Sequence, residues 1–214
     1  MIKVENIEVF NFEGALRGMR NPKNSWGNSD TVMSLELRHN EKHAKVYANI
    51  GENDLDLMRK LYRAGSEHRK YARQIFVSMD ITAPLYWWKE MDTYKVGTVS
   101  DSCSTMHTVE DEEFTLDDFS HEHLNNPALE TLNATIKRLN EYREQYLFAK
   151  VKVDWWQMIQ LLPTSYNQKR TITMNYENVF NIIHQRSHHK LDEWREFVDI
   201  LTNELPYVRE IMEG

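Results

Sequence analysis

Toward the end of the chain, Asn175, Asn181 and Arg186 follow one another at spacings of six and five residues. The planar fork of an arginine pairs bidentately with phosphate and keeps its charge in any pocket. At the edge of a pyrimidine, the same guanidinium would stabilise negative charge developing on the ring. An asparagine amide both donates and accepts, so it can read a heterocycle; the other role open to Asn175 is to cap the helix that follows it. A second group lies upstream. Lys95 offers a point charge, and Ser100, Ser102, Ser104 and Thr105 offer hydroxyl donors for phosphate, although such residues also build ordinary loops. Cys103 stands among them, a nucleophile if its thiolate is favoured and a small hydrophobe otherwise. His184 and His188 have the i, i+4 spacing of a metal pair, but no third ligand accompanies them at motif spacing, so no metal is expected. Trp87-Trp88 and Trp155-Trp156 can stack on a flat ring, with core packing as their commoner use.

These residues need elements to position them. Residues 2–10 place Ile2, Val4, Ile7 and Val9 in rough alternation, which predicts a strand. Residues 13–20 predict a short helix ended near Asn21-Pro22. Segments 31–37 and 44–50 predict two strands, pairing as a hairpin across RHNEKH. Residues 53–64 predict a helix capped by Asn53 and ended by Gly65, with Leu57, Leu61 and Ala64 at helical spacing. His68, Arg69, Lys70 and Arg73 form a basic cluster before a strand at 74–82. Pro84 opens a helix at 84–94, and 95–107 predicts a loop. Residues 110–123 carry seven acids and predict a solvated excursion, extending to about 126. A long helix follows Pro127 to about 149, with Leu129, Leu132, Ile136, Leu139 and Tyr142 on its buried face. Beyond it the pattern predicts a helix at 154–162, a strand at 169–174, helices at 176–185 and 190–204, and a last one near Pro206. Strands and helices do not alternate regularly, so the class is α+β, a mixed or antiparallel sheet flanked by helices in one domain. None of the seven glycines forms a G-x-G pattern, so no glycine-rich phosphate loop is present.

Composition narrows the partners. A net charge of -7 disfavours nucleic acid as a general partner. No window reaches the roughly 18 to 20 apolar residues of a membrane span, and the N-terminus does not read as a signal peptide. The single cysteine forms no intrachain disulfide, which fits a reducing, cytoplasmic setting.

Two stretches resemble the flavin-dependent thymidylate synthases. In 81–107, Ala83-Pro84 falls on that family's helix start, Glu90 on a Gln, and Thr93, Tyr94, Lys95, Thr98, Ser100, Cys103 and Thr105 on its signature R-H-R-x-x-S-x-N-x-x-S-x-R. In 162–195, a Leu-Pro precedes the Asn175, Asn181, Arg186 series, with Glu177 where the family has Arg and Asp192-Glu193-Trp194 echoing its Ala-Gln-Trp-Glu. Fainter matches are GALRGMR at 14–20 and the stretch 64–81, where the family's His falls near Gln74. Together they span about half the chain. The resemblance implies methylation of dUMP to dTMP, with methylenetetrahydrofolate giving the carbon and NADPH-reduced FAD the hydride. It implies Arg186 and Glu90 as catalytic residues, and Lys95, Tyr94, Asn175, Asn181 and Gln74 against FAD. Arg186, Glu90, Ser100, Cys103, Ser104 and Thr105 would meet the nucleotide. With the signature arginines replaced, a variant reaction on another pyrimidine nucleotide, or a non-catalytic nucleotide-binding or assembly protein, stands beside the standard one. The resemblance also implies a homotetramer with sites at subunit interfaces. Sedimentation at micromolar concentration should therefore show a tetramer; a monomer alone would refute it.

Overall fold

The computed structural model describes residues 2–36 and 45–213. The main sheet is antiparallel throughout. It runs in the order β1 (Lys3–Phe10), β4 (Phe76–Pro84), β6 (Asn167–Asn175), β5 (Val99–Ser102). β2 (Val32–Glu36) and β3 (Lys45–Asn49) pair as a separate hairpin, as their composition predicts. The predicted connection RHNEKH lies outside the described residues.

Alternation along β4 and β6 decides which face carries helices. Val77, Met79, Ile81 and Ala83 of β4, with Ile172 and Met174 of β6, are buried on one face. Against it pack α1 (Phe12–Arg20), α2 (Glu52–Arg63), α3 (Leu85–Met91), α7 (Tyr176–Arg186), α8 (Asp192–Asn203) and α9 (Val208–Glu213). Trp87, Trp88 and Trp194 are fully buried here, so the first tryptophan pair is core. The opposite face is polar. Asp80 accepts from Asn6 at 2.9 Å and Thr171 at 2.7 Å, with Lys169 at 3.2 Å. Those hydrogen bonds, Thr171 first, hold its carboxyl down at about 2. Asn6 reaches Asp80 because it takes a positive φ of 54° at a register shift between Glu5 and Glu8.

Three expectations need correction. The loop predicted at 95–107 contains β5 and a one-turn helix, α4 (Thr105–Thr108), because β6 offers an open edge for residues 99–102. The acidic stretch is no solvated excursion: Val109, Phe114 and Phe119 are buried in a second apolar cluster with Leu132, Ile136 and Leu139 of α5 (Asn126–Ala149) and Met158 of α6 (Lys152–Leu161). Asp111, Glu112, Glu113, Asp117 and Glu122 are exposed, while the aromatics anchor the stretch. The N-terminus of α2 is not capped by Asn53. Asp30 accepts the Asn53 and Asp54 amides at 3.0 and 3.2 Å, a cap supplied from before the hairpin. Leu55, Met58 and Tyr62 of α2 are buried, and Leu57 and Leu61 pack beside them against the same core. No helix among the described residues is long and apolar enough to cross a membrane.

Asp54 ties α1, α2 and the approach to the hairpin together. It is fully buried and meets Arg20 Nε at 2.6 Å. It also accepts Ser29 Oγ at 2.6 Å and Thr31 Oγ1 at 2.7 Å. Burial pushes its carboxyl up, but Ser29, Thr31, Arg20 and the Arg20 charge outweigh that and hold it below its ordinary 3.8. A depressed carboxylate stabilises the fold above its unfolded pKa, and that stability disappears as pH falls through the lower folded value. Asp54→Asn should cost about 3 kcal/mol in urea unfolding at neutral pH. It should also shrink the loss of stability below about pH 4 relative to the native chain.

Candidate functional site

α7 begins where β6 ends. Asn175 is the last residue of β6 and the N-cap of α7, its side-chain oxygen accepting the Asn178 amide at 3.1 Å. Asn178, buried beside it, donates its amide to the Val96 carbonyl at 2.9 Å and to Thr98 Oγ1 at 2.8 Å. These bonds clasp the 94–98 loop onto the first turn of α7. Gly97 makes the approach possible. Its φ is +76°, and a Cβ there would lie 2.5 Å from the Asn175 amide nitrogen.

The same loop reaches the other end of α7 through Tyr94. Arg186 Nε donates to the Tyr94 hydroxyl at 2.9 Å, and that hydroxyl donates to Gln185 at 2.9 Å. The guanidinium lies 4.8 Å from the centre of the Trp194 ring and 3.0 Å from Glu90 Oε2. His189 Nε2 approaches the same oxygen at 3.1 Å. The His189 Nδ1 accepts the Leu191 amide at 3.2 Å, which leaves the Nε2 as the protonated nitrogen facing Glu90. That Glu90 oxygen is buried and receives no well-directed hydrogen bond, so Coulomb attraction holds the trio.

Asn181 faces a different partner. Its side-chain oxygen accepts from Arg69 Nη2 at 3.3 Å, while Arg69 forks onto Glu177 at 2.8 and 2.9 Å. Arg69 comes from the basic cluster and also lies over the Tyr62 ring. The Asn181 amide nitrogen makes no hydrogen bond among the described residues. On the sheet side, Arg170 stacks on Trp88 at 4.3 Å, donates to Asp92 at 2.8 Å and to Gln168 at 2.9 Å. Gln168 in turn donates to the Cys103 carbonyl at 2.9 Å and to Thr105 Oγ1 at 3.3 Å.

The structure thus brings Glu90, Tyr94 and Arg186 together and sets Asn175 at the far end of α7, about 16 Å away along the axis. Ser100 lies on exposed β5 opposite Ile172, on the side facing the helices. Cys103, exposed, sits 3.7 Å from the Thr108 hydroxyl, and Ser104 opens α4. Lys95 is exposed and carries no ion pair among the described residues. Gln74 stands apart, its side chain against Gly18 of α1 and its carbonyl accepting from Asn11. His184 meets the Tyr62 hydroxyl at 2.5 Å, and no metal-ligating cluster exists among the described residues. Trp155 and Trp156 sit on α6, with Trp155 packed against the second apolar cluster. Sequence reasoning missed Asn178, Gln185, Gln168, Arg170 and Asp92. Asn178 and Gln185 are seven residues apart, two turns on one face of α7, the signal that could have found them.

Each guanidinium here has a carboxylate from the same chain: Arg186 has Glu90, Arg69 has Glu177, Arg170 has Asp92. Among the described residues, Lys95, the Asn181 amide nitrogen and the hydroxyls of Ser100 and Ser104 make no hydrogen bond or ion pair. A dianion can reach Arg186 only by competing with Glu90.

No protein-family model matches the sequence, and no curated protein matches it. Solved structures do match its fold. Thymidylate Synthase X from Helicobacter pylori, with FAD and dUMP, superposes with a TM-score of 0.68 at 17% identity, covering 100% of this chain and 98% of that one. A second structure of the H. pylori flavin-dependent thymidylate synthase, complexed with FAD and dUMP, gives 0.67 at 17% identity, covering 99% and 98%. The UMP/dUMP methylase PolB from Streptomyces cacaoi, bound with 5-Br UMP, gives 0.63 at 11% identity, covering 99% and 93%. The chain therefore shares, over its full length, the α+β fold of the flavin-dependent thymidylate synthases and of this related methylase.

The clasp of the loop on α7 depends on Gly97. Gly97→Ala should lower stability by about 1–2 kcal/mol. It should also speed amide exchange in residues 94–98 ahead of the rest of the chain; unchanged exchange there would show that the clasp does not hold the loop.

Proposed function

We propose that this chain is a flavin-dependent methylase of a pyrimidine nucleotide. The reaction is methylation of dUMP to dTMP with methylenetetrahydrofolate, FAD and NADPH, or a close variant on another pyrimidine nucleotide. The observation that carries this reading is the junction of Tyr94, Glu90 and Arg186, where the 94–98 loop and α7 meet on a scaffold shared with enzymes solved with FAD and dUMP. The open donors would hold the flavin: Asn181 through its amide nitrogen and Lys95 through its charge, with Asn175 fixing the helix end. FAD, when bound and reduced, supplies the hydride.

The chain's own residues do the rest. Arg186 binds the nucleotide and, at the uracil edge, stabilises negative charge that grows as carbon is transferred. Its stacking on Trp194 and its bond to Tyr94 fix its direction in advance. Glu90 is the internal counter-ion of Arg186, and His189 gives Glu90 a second partner when the nucleotide arrives. Ser100, Ser104 and Thr105, with Cys103 between them, line the approach from β5. This reading includes a homotetramer and a cytoplasmic setting, with neither nucleic acid nor membrane as partner.

A second reading has an observation of its own. With all three guanidiniums neutralised internally, the scaffold can serve a non-catalytic role in nucleotide binding or assembly. Purified protein supplied with FAD separates the two. Catalysis predicts a flavin band near ~450 nm and tritium release from 5-labelled dUMP with NADPH and methylenetetrahydrofolate. Protein that takes up no FAD refutes the catalytic reading. Arg186→Ala should weaken dUMP binding at least about tenfold, the worth of one charge-assisted contact. Glu90→Gln should tighten it about threefold or more by freeing Arg186.

A further inference from the structure

The helices that build the second apolar cluster are apolar on more than one side. Their inner faces meet around Leu139 of α5 and Met158 of α6, both fully buried. That packing needs one apolar stripe on each helix. Yet the outside stays apolar where α5 turns into α6. Fifteen large apolar side chains are exposed among the described residues, and six of them, Leu147, Phe148, Val151, Val153, Trp156 and Leu161, lie within 147–161. Scattered exposed apolar residues are ordinary, whereas a cluster marks an interaction surface. Phe148 is 94% exposed, so its ring serves almost no packing within its own chain. The elbow that presents it is firmly built. The Lys150 amide donates to the Tyr146 carbonyl at 2.7 Å, in a left-handed cap with a φ of 53°. The Lys150 and Lys152 ammonium groups lie 5.0 and 6.0 Å from the Tyr146 and Trp156 rings.

Charge decides what covers this surface. Glu144 and Asp154 carry its negative charge, Lys150 and Lys152 its positive charge, and none of the four forms an ion pair among the described residues. An anionic lipid surface favours cations without acids, and the chain has a net charge of -7 besides. Unpaired charges of both signs around an apolar centre complement themselves, which is what a two-fold contact requires. Their order along the chain supplies the pattern. Glu144 lies one turn before Phe148 on the same face of α5, both exposed, and Lys152 opens α6 beyond it. A two-fold axis through Phe148 sets Glu144 of one copy against the partner's Lys152, and the reverse. We infer that the α5–α6 elbow binds a second copy of this chain through an isologous contact centred on Phe148, with Glu144 and Lys152 paired across it. This contact supplies a surface for the assembly in the proposed function, on which it rests for self-association alone, and it requires no ligand at α7.

Sedimentation of the full chain over a dilution series tests it. The native chain should associate at micromolar concentration. Phe148→Asp should lower the mass to half or less with an unchanged circular dichroism spectrum, because Phe148 packs on little of its own chain. Glu144→Lys sets like charges against each other and should weaken association at least about tenfold, as should Lys152→Glu. The double variant Glu144→Lys/Lys152→Glu should recover the native affinity to within about threefold. The inference is overturned if the native chain is monomeric, if Phe148→Asp sediments as the native chain does, or if the double variant recovers nothing. A tetramer that persists in Phe148→Asp overturns this contact and leaves the tetramer standing. A native dimer that is lost in Phe148→Asp upholds the contact and refutes the tetramer.

Discussion

Asn175 closes β6, caps α7 and walls the space in which Gly97 sits, so one residue joins strand, helix and loop. Because β4 pairs with β6 through to its last residue, Phe76 opposite Asn175, the end of β6 is held and the start of α7 inherits that rigidity. Buried Val179, Phe180, Ile182 and Ile183 then fix how α7 is rotated against the core. Rotation decides what each remaining position meets: Asn178 and Gln185 meet the 94–98 loop, and Glu177 and Asn181 meet Arg69. Arg186 is the last residue of the helix. A cation there also suits the negative end of the helix dipole, so its placement agrees with backbone electrostatics as well as with Glu90.

The arginines around α7 are each stacked on an aromatic ring and each opposed by an acid. Stacking fixes the plane of the guanidinium, and the acid lowers the cost of keeping it part-buried. Arg69 over Tyr62 with Glu177, Arg170 over Trp88 with Asp92, and Arg186 over Trp194 with Glu90 repeat one local solution at three places. All three rings, Tyr62, Trp88 and Trp194, belong to the buried core, so packing and charge placement are not separable here.

Local signals in the sequence found most elements, because periodicity and Pro or Asn boundaries are local. The slip from Ile2 and Val4 to Ile7 and Val9 even marks the irregularity at Asn6. What local signals missed is informative. β5 has neither apolar alternation nor buried residues; only the free edge of β6 makes it a strand. The cap of α2 comes from Asp30, twenty-two residues before the helix begins, and no reading of its flanks would find it. The acids of 110–123 hid Val109, Phe114 and Phe119, which organise a second apolar cluster. The spacing of Asn175, Asn181 and Arg186 was visible, yet their partners Arg69, Glu90 and Tyr94 lie in other segments and follow only from how α7 is rotated.

Charge balance sets the terms on which this site can meet an anion. Glu90, Glu177 and Asp92 cancel Arg186, Arg69 and Arg170, leaving Lys95 as the uncompensated cation of the loop among the described residues. One lysine cannot neutralise a doubly charged phosphate in a partly dry site, and an unpaired charge is costly there. A bound dianion must therefore displace a carboxylate. The Arg69–Glu177 pair resists this, being bidentate, about nine-tenths buried and further tied to Asn181. The Arg186–Glu90 pair does not. Glu90 is more than a third exposed, its contact is not a directed hydrogen bond, and His189 waits on its other side. Asp92 is more exposed still, but Arg170 holds it with a directed hydrogen bond, so Arg186–Glu90 is the undirected pair of the three, and it is the pair that joins the loop to the end of α7.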